Sequence, residues 1–216
     1  MNDEPPVRVE RSEGWASVVL NRPHRKNAIT GPLMDQLGDA VTSLSADTSV
    51  AAIVIRGEGG AFCSGVDLTE LQADPPHPWA KTFSDSVRRA HIALFNCACP
   101  IVVALERYGI NAGTSLALSG DLLVAGERAF LQIGEIRQGA HIPMNAAWMQ
   151  IKSNEHVLAR MALLGDRVAG SELLPLGLVH KVVADDKVRS RWLYPPESYA
   201  PAPAQTPVRN ISSYRG

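Results

Sequence analysis

Two loops of the sequence join an apolar strand to a helix through small residues. The first, AFCSGVD at 61–67, follows AAIVIRG, and the second, YGINAGTS at 108–115, follows IVVALE. Backbone N–H groups at such turns lie near a helix N-terminus, where they favour an anion or a developing oxyanion. Two loops of this design could each direct one amide at the same oxygen. The pattern therefore indicates stabilisation of negative charge on a carbonyl oxygen.

The first loop does not match a nucleotide-binding fingerprint. A dinucleotide site needs GxGxxG opening a helix, but Phe62 stands where the third glycine belongs. A phosphate-binding P-loop needs a lysine after its last glycine, whereas Val66 and Asp67 follow Gly65. A purely structural tight turn stays open at this point, because glycine adopts backbone angles that other residues find costly.

Two side chains could add acid/base or nucleophilic chemistry. Glu135 lies between Ile133 and Ile136, and apolar neighbours could raise the pKa of its carboxyl towards neutrality, as a proton carrier requires. A buried structural carboxylate is the other interpretation. Ser115 lies in GTSLA, which falls short of the hydrolase elbow GxSxG because Ala117 replaces the last glycine. No sequence feature places one of the six histidines beside it.

Composition narrows the function classes. The chain has 216 residues, of which 45% are hydrophobic, and its 21 basic and 22 acidic side chains nearly cancel. We therefore expect no nucleic-acid partner and no anionic membrane partner. Cys63, Cys97 and Cys99 lack a zinc-ligand spacing, so we expect no metal and interpret them as reduced thiols of a cytoplasmic protein. The acidic, proline-bearing start and the lack of a run of ~18 apolar residues predict neither secretion nor membrane insertion.

The elements that position these loops can be predicted from periodicity and caps. Alternation over the first ~20 residues predicts a hairpin turning at 12–14, and apolar residues at helical spacing predict a helix over 32–44 capped by Thr30. The apolar run 51–57 predicts a strand covered on both faces. Later units repeat strand, turn, helix and strand, with one helix over 153–165 capped by Ser153. We predict an α/β core over 1–186 and a Pro-rich irregular tail over 187–216.

Several motifs together resemble the crotonase (enoyl-CoA hydratase/isomerase) superfamily, in the same order and at similar separations. They are NRP at 21–23, KNA at 26–28, AFCSGVDL at 61–68, LALSGDL at 116–122, GEI at 134–136 and LGLV at 176–179. The resemblance implies a spiral of repeated β-β-α units and assembly as a homotrimer or hexamer. It also implies an acyl-CoA thioester as ligand, with no cofactor besides the coenzyme A of the substrate.

The resemblance also assigns roles to residues. It implies that Val66 N–H and Ala112 N–H hold the thioester oxygen as an enolate develops, which makes the loops an oxyanion hole. It implies substrate or coenzyme A contacts at further matching positions, which are Arg25, Lys26, Ala28, Ser64, Gly65, Asp67, Leu68, Gly113 and Pro143.

The chain departs from the family pattern at its acid/base groups. Hydratases of the family have glutamates at the positions of both Ser115 and Glu135, and only the second is present here. Hydration needs two positioned acid/base groups, whereas double-bond migration needs only one, so an isomerase with Glu135 as single acid/base is favoured. A catalytically impaired acyl-CoA-binding protein and, more remotely, a thioester hydrolase using Ser115 stay open. The tail replaces the family's last helices, which predicts self-association over exposed apolar surface.

Overall fold

The structure is a computed structural model, and it describes residues 4–191. Within this range the strands are β1 Val7–Ser12, β2 Trp15–Leu20, β3 Ala52–Gly57, β4 Ile101–Leu105, β5 Tyr108–Ile110, β6 Leu122–Gly126, β7 Phe130–Gln132, β8 Arg167–Ala169 and β9 Lys181–Val183. The α-helices are α1 Gly31–Ser45, α2 Leu68–Leu71, α3 Phe83–Phe95, α4 Ala112–Leu118, α5 Pro143–Lys152, α6 Glu155–Leu164, α7 Gly170–Leu173 and α8 Val188–Arg191.

The larger sheet has the strand order β1-β2-β3-β4-β6-β9. β1 and β2 form the predicted antiparallel hairpin, with Val9 opposite Val18, and Gly14 makes the turn at a φ of 76°. The other neighbouring pairs in this sheet are parallel. β3 and β4 are buried almost throughout, because both faces of a parallel sheet are covered.

A smaller sheet carries the second loop. Its strand order is β5-β7-β8, with β5 parallel to β7 and β7 antiparallel to β8. The chain leaves the larger sheet after Leu105 and enters β5 at Tyr108, where it pairs with β7. Only Asn111 separates the end of β5 at Ile110 from the start of α4 at Ala112. The sequence predicted a turn here. β5 is only three residues long and contains a glycine, so no alternating pattern marks it.

Helices α1 and α3 pack together beside the larger sheet. The Thr30 hydroxyl accepts a hydrogen bond from Leu33 N at 3.4 Å, which confirms the predicted cap of α1. Gly38 permits the close approach of α3, because a Cβ there would lie 3.2 Å from the Ala90 Cα. Leu37 and Val41 on the same helix are fully buried. The periodicity that predicted this helix therefore marks its core-facing side.

Two features differ from the sequence predictions. Asn154, not Ser153, caps α6, and its side-chain oxygen accepts from Val157 N at 3.2 Å. Gly165 ends the helix at a φ of 64°, as predicted. The first residues of the predicted irregular tail are helical in α8, where Val188 is fully buried. The rest of that tail, 192–216, lies outside the described residues.

The α/β class predicted from the sequence is confirmed by this arrangement of helices on two sheets. Among the helices of residues 4–191, none combines the length and the apolar character that a membrane span requires.

Candidate active site

The two loops identified from the sequence touch each other. Cys63 N donates to the Tyr108 carbonyl and Ile110 N donates to the Cys63 carbonyl, both at 3.1 Å, which joins the first loop to β5. Gly113, in the first turn of α4, lies so close to Cys63 that an added Cβ would be 2.6 Å from its carbonyl oxygen. Only glycine fits this contact. The loops are therefore held at a fixed separation by their backbones.

Gly65 makes the second contact between the loops. It has a φ of 94°, and an added Cβ would lie 2.9 Å from the Ile110 carbonyl oxygen. Its own carbonyl accepts from Ile29 N at 2.8 Å, and Asp67 N donates to the Ile29 carbonyl at 2.9 Å. These bonds pair the residues on both sides of Val66 with residue 29. They fix the orientation of the Val66 peptide group without using its N–H.

Two backbone amides are left without a protein acceptor at this junction. Among residues 4–191, neither Val66 N–H nor Ala112 N–H donates to a protein group. Ala112 is the first residue of α4, where an N–H has no partner inside the helix. Both residues are only partly buried. The predicted pair of amides is thus free to receive an acceptor oxygen.

Asn111 holds the start of α4 in an uncommon backbone conformation. Its φ is 54° and its ψ is −121°, a combination that favours glycine. The conformation is held by two hydrogen bonds: Asn111 N donates to the Gln132 carbonyl at 2.7 Å, and Gly134 N donates to the Asn111 side-chain oxygen at 2.9 Å. The side chain thereby ties the second loop to the segment that carries Glu135. Sequence reasoning gave this residue no role.

Glu135 is a buried carboxylate with one partnered oxygen. Its exposed fraction is 8%, and its Oε1 accepts from the Asn145 Nδ2 at 3.0 Å. Its Oε2 is buried and has no hydrogen-bond partner within the described part of the chain. Burial raises the pKa of the carboxyl above its ordinary value, while its own backbone N–H and the Asn145 amide oppose the rise. The shift is in the direction that a proton carrier requires.

Asn145 lies in the first turn of α5 and is 2% exposed. Its Nδ2 also donates to the Asn111 carbonyl at 3.1 Å, and its own Oδ1 has no partner among the described residues. Sequence reasoning missed this residue, because only tertiary packing brings α5 against α4. The one available signal was a polar side chain among the apolar residues of 142–149.

Ser115 does not have the surroundings of a nucleophile. Its side chain is fully buried, and its hydroxyl donates to the Ala112 carbonyl at 2.8 Å within the first turn of α4. None of the six histidines, all of which lie within residues 4–191, hydrogen-bonds to it. His91 instead accepts from the Trp148 indole N–H at 2.9 Å, and burial lowers its pKa to about 4. The arrangement offers no base for a serine hydrolase.

Two of the predicted coenzyme A contacts belong to a buried ion cluster. Asp67 is 3% exposed and pairs with Arg25, whose Nη2 lies 2.7 Å from its Oδ1, and with Arg22 at 3.2 Å. Arg22 also pairs with Glu70 and donates to the Ala28 carbonyl at 2.7 Å. Burial acts to raise the pKa of Asp67, but the hydrogen bonds, from Arg25 first, outweigh it and hold the pKa below its usual value. The ion pair of Arg25 with the buried Asp67 therefore ties the 22–25 segment to the first loop, while the Arg25 side chain keeps an exposed fraction of 38%.

The other predicted contacts differ in exposure. Lys26 is exposed in a left-handed conformation at a φ of 54°, and its carbonyl accepts from Ser64 N at 3.2 Å. Ala28 is buried beneath it, whereas Leu68 is 43% exposed. Pro143 is the exposed first residue of α5. In residues 4–191 no group of three or more histidine, cysteine or acidic side chains could hold a metal ion.

A family model described as Enoyl-CoA hydratase/isomerase matches residues 10–206 of the chain. A curated Mycobacterium tuberculosis protein named probable enoyl-CoA hydratase EchA14 is 32% identical over 186 residues, which cover 85% of this chain and 71% of that protein. Among solved structures, an enoyl-CoA hydratase of Mycobacterium smegmatis aligns with a TM-score of 0.79 and 28% identity, covering 86% of this chain and 73% of that one. A protein of Thermobifida fusca YX solved in complex with CoA aligns with a TM-score of 0.76 and 25% identity, covering 86% and 74%.

Proposed function

This chain belongs to the enoyl-CoA hydratase/isomerase family of acyl-CoA enzymes, and we propose that it moves the double bond of an enoyl-CoA thioester with Glu135 as its single acid/base. The crotonase fold of its structural neighbours agrees with the β-β-α spiral expected from the sequence. One observation carries the proposal: a buried carboxyl with a raised pKa and one free oxygen accompanies two loops with unpartnered amides.

The thioester carbonyl oxygen is proposed to accept hydrogen bonds from Val66 N–H and Ala112 N–H. Removal of a proton from the carbon next to the carbonyl leaves an enolate, whose charge collects on this oxygen. Donors fixed in advance stabilise that charge more than the neutral ground state, and one such donor typically contributes ~10²–10³ in rate. The backbone contacts of Gly65 and Gly113 support this role, because they hold the two amides without further rearrangement.

Glu135 is proposed to remove the proton at one carbon of the allyl system and to return it at another. Its Oε2 is the oxygen for this transfer, because Oε1 is occupied by Asn145. A raised pKa suits both halves of the task, since the group must accept and release a proton near neutral pH. Ser115 supplies no second acid/base, because its hydroxyl is buried and donates to a backbone carbonyl. Isomerisation is therefore favoured over hydration.

Two further expectations are part of the proposal. Lys26 is the better candidate for the phosphates of coenzyme A, because it is exposed and Arg25 is engaged by Asp67.

Assembly as a homotrimer or hexamer is supported by apolar side chains on α6, where Leu163 and Leu164 are 69% and 58% exposed. The chemistry needs no cofactor besides the coenzyme A of the substrate. The three buried cysteines, all within residues 4–191, form no disulfide, which fits the reducing cytoplasm.

The proposal is tested by incubating the protein with 3-enoyl-CoA thioesters of short, medium and long chain in deuterium oxide. We expect conversion to the conjugated 2-enoyl-CoA, seen by its ultraviolet absorbance, with deuterium in the fraction of product whose proton exchanged with solvent at Glu135 before it was returned. We expect the Glu135→Gln protein to lose this activity. A product heavier by one water would mean that hydration is the reaction. Tight binding of the thioesters without any conversion would favour the alternative of an acyl-CoA-binding protein.

A further inference from the structure

The side-chain amide of Asn145 connects the two halves of the proposed site. Its Nδ2 donates to the Glu135 Oε1 at 3.0 Å and to the Asn111 carbonyl at 3.1 Å. A primary amide nitrogen has two hydrogens, so these two bonds use its whole donor capacity. With an exposed fraction of 2%, the residue has little access to competing water. A single nitrogen atom therefore fixes the carboxylate relative to the second loop.

The carbonyl of Asn111 belongs to the peptide group whose N–H is that of Ala112. A hydrogen bond to a peptide carbonyl polarises the group, which strengthens its N–H as a donor, and it also fixes the plane of the peptide. Thr114 N donates to the same carbonyl at 2.8 Å. Asn145 is the only side chain among the described residues that donates to it. A substitution at Asn145 should therefore change the donor strength and the orientation of the Ala112 N–H, although Asn145 does not contact that N–H itself.

The same two segments are linked a second time in the opposite direction. Gly134, the neighbour of Glu135, donates to the side-chain oxygen of Asn111 at 2.9 Å. Two asparagines therefore hold the second loop and the carboxylate segment as one unit. The positive φ of Asn111, which costs free energy in a residue with a side chain, is accounted for by this arrangement.

We propose that Asn145 is a positioning residue that couples the Glu135 carboxylate to the Ala112 N–H through the Asn111 peptide group. The inference rests on the proposed function, since it assigns Asn145 to the same site. It predicts that one substitution weakens both proton transfer and the hydrogen bond to the thioester oxygen. A residue that only filled space would not change these two properties together.

Within residues 4–191, no charged side chain of the neighbouring segments is among the causes of the Glu135 pKa shift. Arg137, on the same turn, pairs with Asp166 at 2.7 Å, and on the neighbouring α6 Arg160 pairs with Glu172 at 3.1 Å. Glu155 and His156 are exposed at the start of α6. The pKa of His180 is lowered by burial and, to a lesser extent, by Lys152 at the end of α5. The raised pKa of Glu135 is due to burial, opposed by its own backbone N–H and Asn145.

The experiment compares the full chain with its Asn145→Ala variant. For 3-enoyl-CoA isomerisation we expect kcat to fall about 10- to 100-fold with KM changed less than about threefold, because the lost bonds act on the transition state. The kinetic pKa on the acid side of kcat/KM should rise by roughly one unit. The infrared carbonyl band of bound butanoyl-CoA, labelled with carbon-13 at the thioester, should shift less than in the unchanged protein.

Two variants serve as controls. Asn154→Ala removes a capping asparagine of α6, costs ~1 kcal/mol of stability, and should leave kcat, the kinetic pKa and the carbonyl band unchanged. Glu135→Gln should abolish turnover but keep the carbonyl shift, because the amide donors remain. If Asn145→Ala does not fold, Asn145→Leu repeats the measurements, since leucine fills similar space without a donor.

The outcomes distinguish a failure of the coupling through Asn145 from a failure of the proposed isomerase function. A folded Asn145 variant with an unchanged kinetic pKa and an unchanged carbonyl band would overturn the coupling while leaving the proposed function intact. A fall in kcat with neither spectroscopic nor pH change would likewise mean a purely structural role. If the wild-type protein neither isomerises the thioester nor shifts its carbonyl band, the proposed function is wrong, and the coupling is wrong with it.

Discussion

Replacing Gly113 with alanine should separate the two loops of the site. An added Cβ would lie 2.6 Å from the Cys63 carbonyl oxygen and 3.1 Å from the Cys63 carbonyl carbon and Cβ. Cβ atoms essentially never approach within 3.0 Å of another heavy atom, and the obstacle is backbone, which cannot rotate aside. The loops must therefore move apart by several tenths of an ångström, and this displaces the Ala112 amide from the Val66 amide.

Two opposing contributions determine how much folding stability Gly113→Ala loses. Overpacking a closely packed contact costs ~1–3 kcal/mol, while alanine is favoured over glycine inside a helix by ~1 kcal/mol. Gly113 is in the first turn of α4, so the net loss of folding stability should be at most about 2 kcal/mol. Catalysis should suffer more, because a displacement approaching 1 Å costs about 10²-fold in rate.

The assay is kcat for double-bond migration together with the thermal unfolding midpoint of Gly113→Ala. The matched control is Gly177→Ala, where the φ of 73° makes alanine strained but nothing lies within 4 Å of the new Cβ. The control should lose ~1 kcal/mol of stability and keep its kcat. A Gly113→Ala protein with the kcat of the unchanged chain would refute the reasoning that the loops set the amide geometry.

Three further predictions concern charge. Glu135→Gln should be more stable than the wild-type protein at neutral pH, because burial penalises the ionised carboxyl in the folded state. The difference should vanish below about pH 4, where the carboxyl is protonated in both the folded and the unfolded chain. The contribution of His91 to stability should fall by roughly 3 kcal/mol as pH drops from about 6.5 to about 4, because burial lowers its folded-state pKa to about 4, and His91→Gln should remove this part of the pH dependence. Arg22→Ala should cost ~3–5 kcal/mol, since this buried guanidinium joins Asp67 to Glu70 and to the Ala28 carbonyl, whereas Arg25→Ala, at a side chain 38% exposed, should cost ~1–3 kcal/mol through its lost bonds to Asp67.

Urea unfolding at a series of pH values measures all three. A Glu135→Gln protein no more stable than the unchanged chain at pH 7 would mean that the carboxyl is not penalised by burial. Retention of the acid-side slope in His91→Gln would assign that slope to other groups. Equal losses in the two arginine variants would contradict the difference in burial.

The hairpin and the first helix were predictable because their signals are local. Alternation with a glycine turn marks β1 and β2, and Thr30 with the periodic residues after it marks α1. β5 was missed because three residues around Gly109 carry no period, and its pairing with β7 lies 22 residues further along the chain, from Tyr108 to Phe130. The cap of α6 was misplaced by one residue, since serine and asparagine are both good caps and only the structure distinguishes Ser153 from Asn154.

In the candidate site, too, the features encoded by local sequence could be predicted and those that depend on tertiary contacts could not. The two loops could be predicted from glycines and small residues, because the backbone itself forms the contacts. Asn145 could not be predicted, since its two partners lie on other segments and its role depends on the approach of α5 to α4. The family resemblance implied coenzyme A contacts at Arg25 and Asp67, and the structure adds that the two side chains form an ion pair within the loop. Sequence alone shows which charges are near in the chain, not which are already paired.

Enolate formation by Glu135 and the two amides is tested most directly by the exchange of the α-protons of a saturated thioester with solvent. Butanoyl-CoA would be incubated with the protein in deuterium oxide and followed by proton NMR, beside Glu135→Gln and Val66→Pro. Val66→Pro removes one proposed amide donor, and Glu135→Gln removes the base. We predict exchange in the unchanged protein, none in Glu135→Gln, and a ~10²–10³-fold slower rate in Val66→Pro. Exchange that persists at full rate in both variants would mean that neither the Glu135 carboxyl nor the Val66 N–H takes part in forming the enolate.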